Sequence, residues 1–424
     1  MIVDDFITIF GEFSYNNELY ARSVFHVIVG QLLKDKRIWI GGQYVDLRHS
    51  CFLIQPTASG KSAGTPVYTK LANSLEIKVN SLSKITDEAL IGSVIAERIK
   101  DFSGEHTDYR KEYGLLKEHG ILHFDEASTL FKESAHTKNI AVYLQQALNP
   151  LGSKQNEVSK KLTHGDKIKF NPDCSLILTT FPPEGIFKHV LNTGLFERMF
   201  LIPRTLSTKD RKSNIDSWID RVGNEYKSEI NINKISKELE SIAEALKDIT
   251  NFEFDEDSKR VLRARMSGLI EMLSPANNKV REIMHGFVPR YGNHMLILAA
   301  HHAALEKRFV IKPIDIDYGY RMVFGALKNI MTWIEFGCEI KEKTPKEVHK
   351  WNVLVRAWDS MHQDDGQRVS FNVLRKKMIS VWNCSEPTAK KYIDVFIEQK
   401  RLITRIEDKI RKVGISSKYK KVKI

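Results

Sequence analysis

An α/β fold built around a parallel sheet is what the sequence predicts, and three short apolar runs predict it. Cys51–Ile54 empties directly into a loop ending in Gly60-Lys61-Ser62, residues 120–124 end in Asp125-Glu126, and Ser175–Thr180 is broken by Phe181-Pro182-Pro183. Each reads as a buried strand delivering polar residues at its carboxyl end, and in a parallel sheet ligands sit beyond those ends.

The first run opens a phosphate-binding loop. Residues 53–62 read Leu-Ile-Gln-Pro-Thr-Ala-Ser-Gly-Lys-Ser. In this layout successive backbone N–H groups curl around a triphosphate, a lysine reaches the β- and γ-phosphates, and a hydroxyl meets Mg²⁺. The nucleotide-binding set is therefore Gln55, Pro56, Thr57, Ala58, Ser59, Gly60, Lys61 and Ser62, with ATP and Mg²⁺ expected as cofactors. The dipole of the following helix adds to the site. One position departs from the G-x-x-x-x-G-K-[ST] pattern, since Gln55 stands where the first glycine is expected. Asp125 and Glu126 follow Lys61 by about sixty residues. There Asp125, with Ser62, would hold the Mg²⁺ shell and Glu126 would polarise the attacking water. Thr179 and Thr180 arrive where a polar side chain would sense the γ-phosphate. Arg198, just before the apolar run Phe200–Pro203, is on spacing alone either a structural arginine or a functional one.

A chain of 424 residues has room for two or three domains. Charged residues make up 28% and apolar residues 42%, which excludes a disordered chain, and no apolar run is long enough to span a bilayer. The opening Met1-Ile2-Val3-Asp4-Asp5 is acidic where a secretory signal is basic. Cys51, Cys174, Cys338 and Cys384 fit neither a zinc pattern nor a disulfide framework, so a reduced, cytoplasmic protein is expected. Of the net charge of +12, +11 lies between Lys343 and Lys423, where 20 Lys and Arg face 9 Asp and Glu. A basic terminal module on a nearly neutral body suits a polyanion such as DNA.

Along the chain, residues 13–34 have helical spacing and residues 38–45 read as a hairpin turning at Gly41-Gly42. Residues 67–75 should form the helix behind the phosphate loop. Residues 83–99 read as a helix capped by Thr86, and 102–112 as a loop or insertion. Residues 158–170 make a hairpin turning at 163–166 and bearing Lys160, Lys161, Lys167 and Lys169. Residues 209–254 are charged and helical in pattern, 258–273 continue as helix, and Pro289 to His294 open an apolar helix over 295–305, in which His301-His302 read as packing or surface rather than a metal pair. A last helix spans 314–333. After a boundary at Thr344-Pro345, helices are expected over 353–361, 371–379 and from Ser385, then strands at 402–406 and 417–424. Three helices and a two-stranded wing describe a winged helix, whose third helix presents Lys390 and Lys391 to DNA, although such modules also bind proteins. The domains expected are an N-terminal segment (1–50), the ATPase core (51–206), a helical subdomain and lid (207–342) and the basic winged helix (343–424).

In this order the motifs resemble the minichromosome maintenance (MCM) branch of the AAA+ ATPases over residues 19–335, and most nearly the MCM-like helicases and helicase-primase ATPases of phages and mobile elements. The resemblance is carried by the 55–62 loop, the Asp125-Glu126 strand, the lysine-bearing hairpin directly before Ser175–Thr180, and Phe196-Glu197-Arg198-Met199-Phe200. It implies an AAA+ P-loop ATPase core with a helical lid. Arg198 becomes the arginine finger inserted into a neighbour's ATP site, Arg290 the sensor 2 arginine on the γ-phosphate, and the hairpin lysines translocation contacts in a central pore. The implied protein is an ATP-driven, ring-forming, hexameric DNA helicase of replication, with primase, polymerase or initiator partners. An initiator or loader that binds origin DNA without processive unwinding is the alternative, and a regulatory ATPase whose tail binds protein is the third. Two positions depart from the family: Gln55, and Phe181 before Pro182 where sensor 1 is an Asn, which leaves its work to Thr180 or Thr179. The large N-terminal domain of cellular members is not in this sequence, so DNA loading is expected from a partner or the tail.

Overall fold

A five-stranded parallel sheet forms the core of residues 1–341 in the computed structural model. The structure describes the chain except residues 1, 12–17, 57–58, 60–62, 83–85, 102–103, 132–134, 162–166, 184, 188–190, 192–193, 205–211, 213, 217–218, 220–227, 275, 277, 338, 342–349, 351–352, 356–368, 399–401, 408–409 and 416–424. The turn expected at 163–166, Cys338 and the Thr344-Pro345 boundary therefore lie outside the described residues. The described residues gather into two units, 1–341 and 342–424, each with its own apolar core.

The chain first lays down the hairpin β1 (Arg37–Ile40) and β2 (Gln43–Asp46), then β3 (Cys51–Ile54) and β4 (Val79–Leu82). The hairpin β5 (Gly92–Asp101) and β6 (Gly104–Tyr113) precedes β7 (Ile121–Phe124), and the hairpin β8 (Val158–Lys161) and β9 (Lys167–Phe170) precedes β10 (Ser175–Thr180). β11 (Gly185–Phe187), β12 (Phe200–Pro203), β13 (Asn251–Phe254), β14 (Val310–Ile311) and β15 (Glu339–Lys341) follow in the same unit. In space the core sheet runs β12-β3-β10-β7-β4. The three strands predicted from apolar runs are fully buried along their lengths, which is why they carry no polar alternation.

Strand order fixes where chemistry belongs. After β3 the chain passes through the Thr65–Ser74 helix to the far edge strand β4, whereas after β10 it crosses β3 to β12. Neighbouring strands β3 and β10 thus send their connections in opposite directions. The crevice between their carboxyl ends is the sheet's topological switch point, the place where open α/β sheets bind ligands.

A second sheet, β14-β13-β1-β2, lies beside the first. Residues 209–254, read as helical, form a helix over Ser228–Ala245, but Asn251–Phe254 is a strand pairing parallel with β1. Four alternating residues signal little by themselves, and the pairing partner stands more than two hundred residues away in sequence. The helix expected over 83–99 is also corrected. Thr86 does cap it, its Oγ1 accepting the Ala89 N–H at 3.2 Å, but it ends at Ile91. Gly92 then adopts φ 108° with the Glu112 carbonyl where a Cβ would stand, and β5 pairs with β6 residue for residue. Most of the supposed 102–112 loop is therefore strand. Pro289 does not open a helix but lies inside Asn278–Leu305. The buried stripe Ile283, Met284, Phe287, Tyr291, Met295 and Leu298 runs through it; that burial outweighs the roughly 3 kcal/mol cost of an internal proline.

An N-terminal helix, Ile2–Gly11, packs through Phe6 and Phe10 on Phe25 and Tyr20 of the Glu18–Leu32 helix. Phe10 also fills the space above Gly64, at the head of the helix behind the phosphate loop. In the second unit β16 (Val369–Ser370), β17 (Leu402–Glu407) and β18 (Ile410–Ile415) form an antiparallel sheet ordered β16-β18-β17, with helices Phe371–Trp382 and Glu386–Glu398. The strand expected at 417–424 lies outside the described residues, and the described partner of β17 is Ile410–Ile415. Of the helix expected over 353–361, residues 353–355 are helical and the remainder lies outside the description. No helix among the described residues is long and apolar enough to cross a membrane.

Candidate functional site

At the carboxyl edge the register brings the predicted polar residues together. Thr180 pairs with Ile54, Leu178 with Phe124, and the Gln55 N–H donates to the Thr180 carbonyl at 3.0 Å. Within the loop, Gln55 and Ser59 are buried and Pro56 is half-buried; Thr57, Ala58, Gly60, Lys61 and Ser62 lie outside the described residues. Asp125 is exposed and Glu126 half-buried. The Thr180 hydroxyl donates to Glu126 Oε1 at 2.9 Å, and the Ser128 N–H reaches the same oxygen at 2.8 Å. Thr179 instead donates to the Asp125 backbone carbonyl. Of the two threonines left open by the sequence, Thr180 is the one whose side chain bonds the acidic pair's glutamate.

The arginines lie at the other end of the sheet. Arg198 ends the short Leu195–Arg198 helix two residues before Phe200, which pairs with Cys51 at the start of β3. Glu126 follows Phe124, and Phe124 is level with Leu178 and Phe52, so with a rise of about 3.3 Å per residue and three strand spacings between β12 and β7 the separation is roughly 15 Å or more. Arg198 and Arg290 together line a cavity of about 610 Å³ whose wall includes Ser50 and Cys174, at the amino ends of β3 and β10. Neither Glu126 nor Thr180 lines it.

The arginine segment is gripped by the helix that carries Arg290. One turn of that helix places Tyr291 so that its hydroxyl accepts the Leu201 N–H at 2.8 Å and donates to the Met199 carbonyl at 3.2 Å. His294 donates to the Arg198 carbonyl. The Arg198 guanidinium folds back to donate to the Gly194 carbonyl at 2.7 Å and the Asn149 side chain at 3.2 Å. Burial and then the adjacent Arg290 charge lower its pKa from the usual arginine value, so an incoming anion is favoured. Gly194 has φ 76°, and a Cβ there would stand 2.6 Å from Arg198 Nη1. Gly194→Ala should therefore displace the guanidinium as well as cost about 1 kcal/mol of backbone strain. The expected result is a lower urea-unfolding midpoint for Gly194→Ala than for the wild type, read by circular dichroism.

Two hairpins project from this unit. On β8–β9, Lys161, Lys167 and Lys169 are exposed, Lys169 pairing with Glu157 at 2.7 Å, while Lys160 is half-buried and points its amine at the Gly92 carbonyl. The β5–β6 hairpin, which no local pattern announced, stands next to it: Tyr113 meets Phe170 edge-on at 5.9 Å. It adds exposed Arg110 and Lys111 to the same region. In the second unit Lys390 and Lys391 are exposed on Glu386–Glu398, opposite its buried Ala389, Ile393 and Phe396.

No protein-family model matches this chain, and no curated protein matches it. Its chemistry is therefore read from geometry: an acidic pair and a threonine at a switch point beside Gln55, and an arginine pair at the opposite edge. Tyr291 and His294 carry no sequence signal for these roles, because nothing local marks a side chain that binds a backbone about ninety residues away.

Proposed function

We propose that this chain is an MCM-like AAA+ ATPase that closes into a ring, the hexamer of that family, hydrolyses ATP between subunits, and uses the cycle to translocate on and unwind DNA. What supports this reading most is the distance between the acidic pair and the arginine pair within one chain. An arginine side chain spans about 7 Å, well short of the separation set by the strand geometry, so the halves meet only when the carboxyl edge of one copy faces the arginine cavity of the next.

The residues at the carboxyl edge suit Mg²⁺-ATP. Asp125 offers hard carboxylate oxygens beside the loop, as Mg²⁺ requires, with Ser62 as its companion ligand. When bound, Mg²⁺ neutralises charge on the phosphates. Lys61 and the 55–62 backbone hold the triphosphate. Glu126, whose Oε1 accepts from Thr180 and Ser128, would polarise the attacking water. Arg198 and Arg290 of the next copy stabilise charge on the transferring phosphoryl group. Exposed lysines on β8–β9, with Arg110 and Lys111 on β5–β6, would hold the phosphates of a DNA strand. The basic second unit, read as a winged helix, adds Lys390 and Lys391 as backbone contacts.

The test is ATP-dependent strand displacement on 3′- and 5′-tailed forks by the full chain, with Glu126→Gln as control. Displacement by the wild type and none by the variant is the expected result. Specific duplex binding without displacement would replace the helicase by an initiator or loader.

A further inference from the structure

We propose that the tip of the β1–β2 hairpin, Trp39 with Ile40, is the docking ridge on which a second copy of this chain seats; this rests on the intersubunit reading above. Trp39 is 54% and Ile40 39% exposed, although both are large and apolar. Scattered apolar residues on a surface need no explanation, but these two are consecutive and line one cavity. Gly41 at φ 56° and Gly42 at φ 83° make the tight hairpin turn that sets Trp39 opposite Tyr44 and Ile40 opposite Gln43.

The indole is fixed on both sides. Its ring stands edge-on to Tyr44 at 5.5 Å, and its N–H donates to the Asn251 side chain at 3.0 Å. Tyr44 is itself held by the Arg37 guanidinium 4.6 Å from its ring and by a hydrogen bond from its hydroxyl to the Leu151 carbonyl. The result is a broad apolar face whose one polar atom is already bonded and whose rotamer is set. Docking on it loses little side-chain entropy, the property that makes Trp a recurrent binding anchor.

Position names the occupant. Trp39 and Ile40 line the same cavity as Arg198 and Arg290, so a protein surface that brings an anion to the arginines meets the hairpin as well. The chain carries its own complement at the other edge of the sheet, in exposed Asp125 and its neighbour Glu126. A patch on one edge that fits the opposite edge of an identical molecule is a head-to-tail contact, which repeats from copy to copy and closes when the rotation permits.

Three full-length proteins, wild type, Trp39→Ala/Ile40→Ser and Ile40→Asp, are compared by sedimentation velocity across a concentration series with ATPγS and Mg²⁺. Fluorescent-nucleotide titration confirms that each remains folded. The expected result is a higher oligomer for the wild type and at least tenfold weaker association for both variants, with nucleotide affinity kept. If Ile40→Asp, which alters only an exposed side chain, assembles as the wild type does, the docking ridge is wrong while the ring stands. Variants that assemble normally but lose single-stranded DNA binding would overturn the ridge in the same way, since the tip would then serve DNA. A wild type that stays monomeric throughout, with Arg198→Ala hydrolysing ATP at the wild-type rate, would remove the intersubunit reading itself.

Discussion

Arg198→Ala should lower ATP hydrolysis by roughly 10³-fold or more, within the range found for arginine fingers, while the same chain still binds nucleotide. The reason is positional. Arg198 stands at the amino edge of the sheet and the Glu126-Thr180 pair at its carboxyl edge, so loss of Arg198 leaves its own chain's loop untouched. Mixing makes the prediction decisive. Arg198→Ala and Glu126→Gln should each be inactive alone, yet an equimolar mixture should regain activity, because some interfaces join an intact Glu126 to an intact Arg198. Random head-to-tail assembly restores about a quarter of the interfaces. An arginine acting within its own chain would give no recovery.

Lowering the pH from 7.5 to 5 should strip several kcal/mol from the stability of the first unit, because four buried imidazoles are held neutral. His26, His49, His294 and His301 pack with ring centroids 5.3–6.5 Å apart between successive neighbours. With the rings neutral, hydrogen bonds fix the tautomers of His301 and His26. The Leu47 carbonyl can only accept, so His301 Nε2 donates to it at 2.8 Å. His301 Nδ1 must then accept from His26 Nδ1 at 3.2 Å, and His26 Nε2 from the Tyr318 hydroxyl at 2.7 Å. Another proton on either ring is opposed chiefly by burial, which removes the water that would solvate the charge. Burial accordingly drives all four pKa values down, with His294 and His301 reaching about 4. Arg22 faces His26 and Arg290 faces His294, and both charges push the same way.

Because the folded values lie below the unfolded value near 6.5, the unfolded chain binds more protons between about pH 6.5 and 4. Stability is therefore complete above 6.5 and lost as pH falls through that window. At about 1.4 kcal/mol per pKa unit, His294 and His301 each lose roughly 2 kcal/mol by pH 5, a large share of a typical 5–15 kcal/mol. Urea unfolding at pH 7.5, 6 and 5 measures the slope, and His301→Gln should reduce it by about one proton. A midpoint unchanged from pH 7.5 to 5 would show that the cluster is already protonated or solvated.

The parts legible in the sequence share a physical trait. β3, β7 and β10 are continuous apolar runs because both of their faces are buried, and the polar residues at their ends cannot be absorbed into that pattern. The Pro313–Thr332 and Glu386–Glu398 helices announce themselves by period and by proline near the start. The β5–β6 hairpin did not, since residues 83–99 also fit a capped helix and only Gly92 and a partner strand arriving later in the chain decide otherwise. β13 likewise depends on β1.

Local properties could be read from the residues in order: which segments are buried strands, which polar residues sit at their ends, and that nearly all the net charge lies in the last eighty or so residues. The strand order could not, and with it came the switch point between β3 and β10 and the removal of Arg198 and Arg290 to the opposite edge. Apolar period is written into neighbouring residues, whereas strand pairing is made between residues far apart in the chain, so the distance between Glu126 and Arg198 exists only once the sheet is assembled.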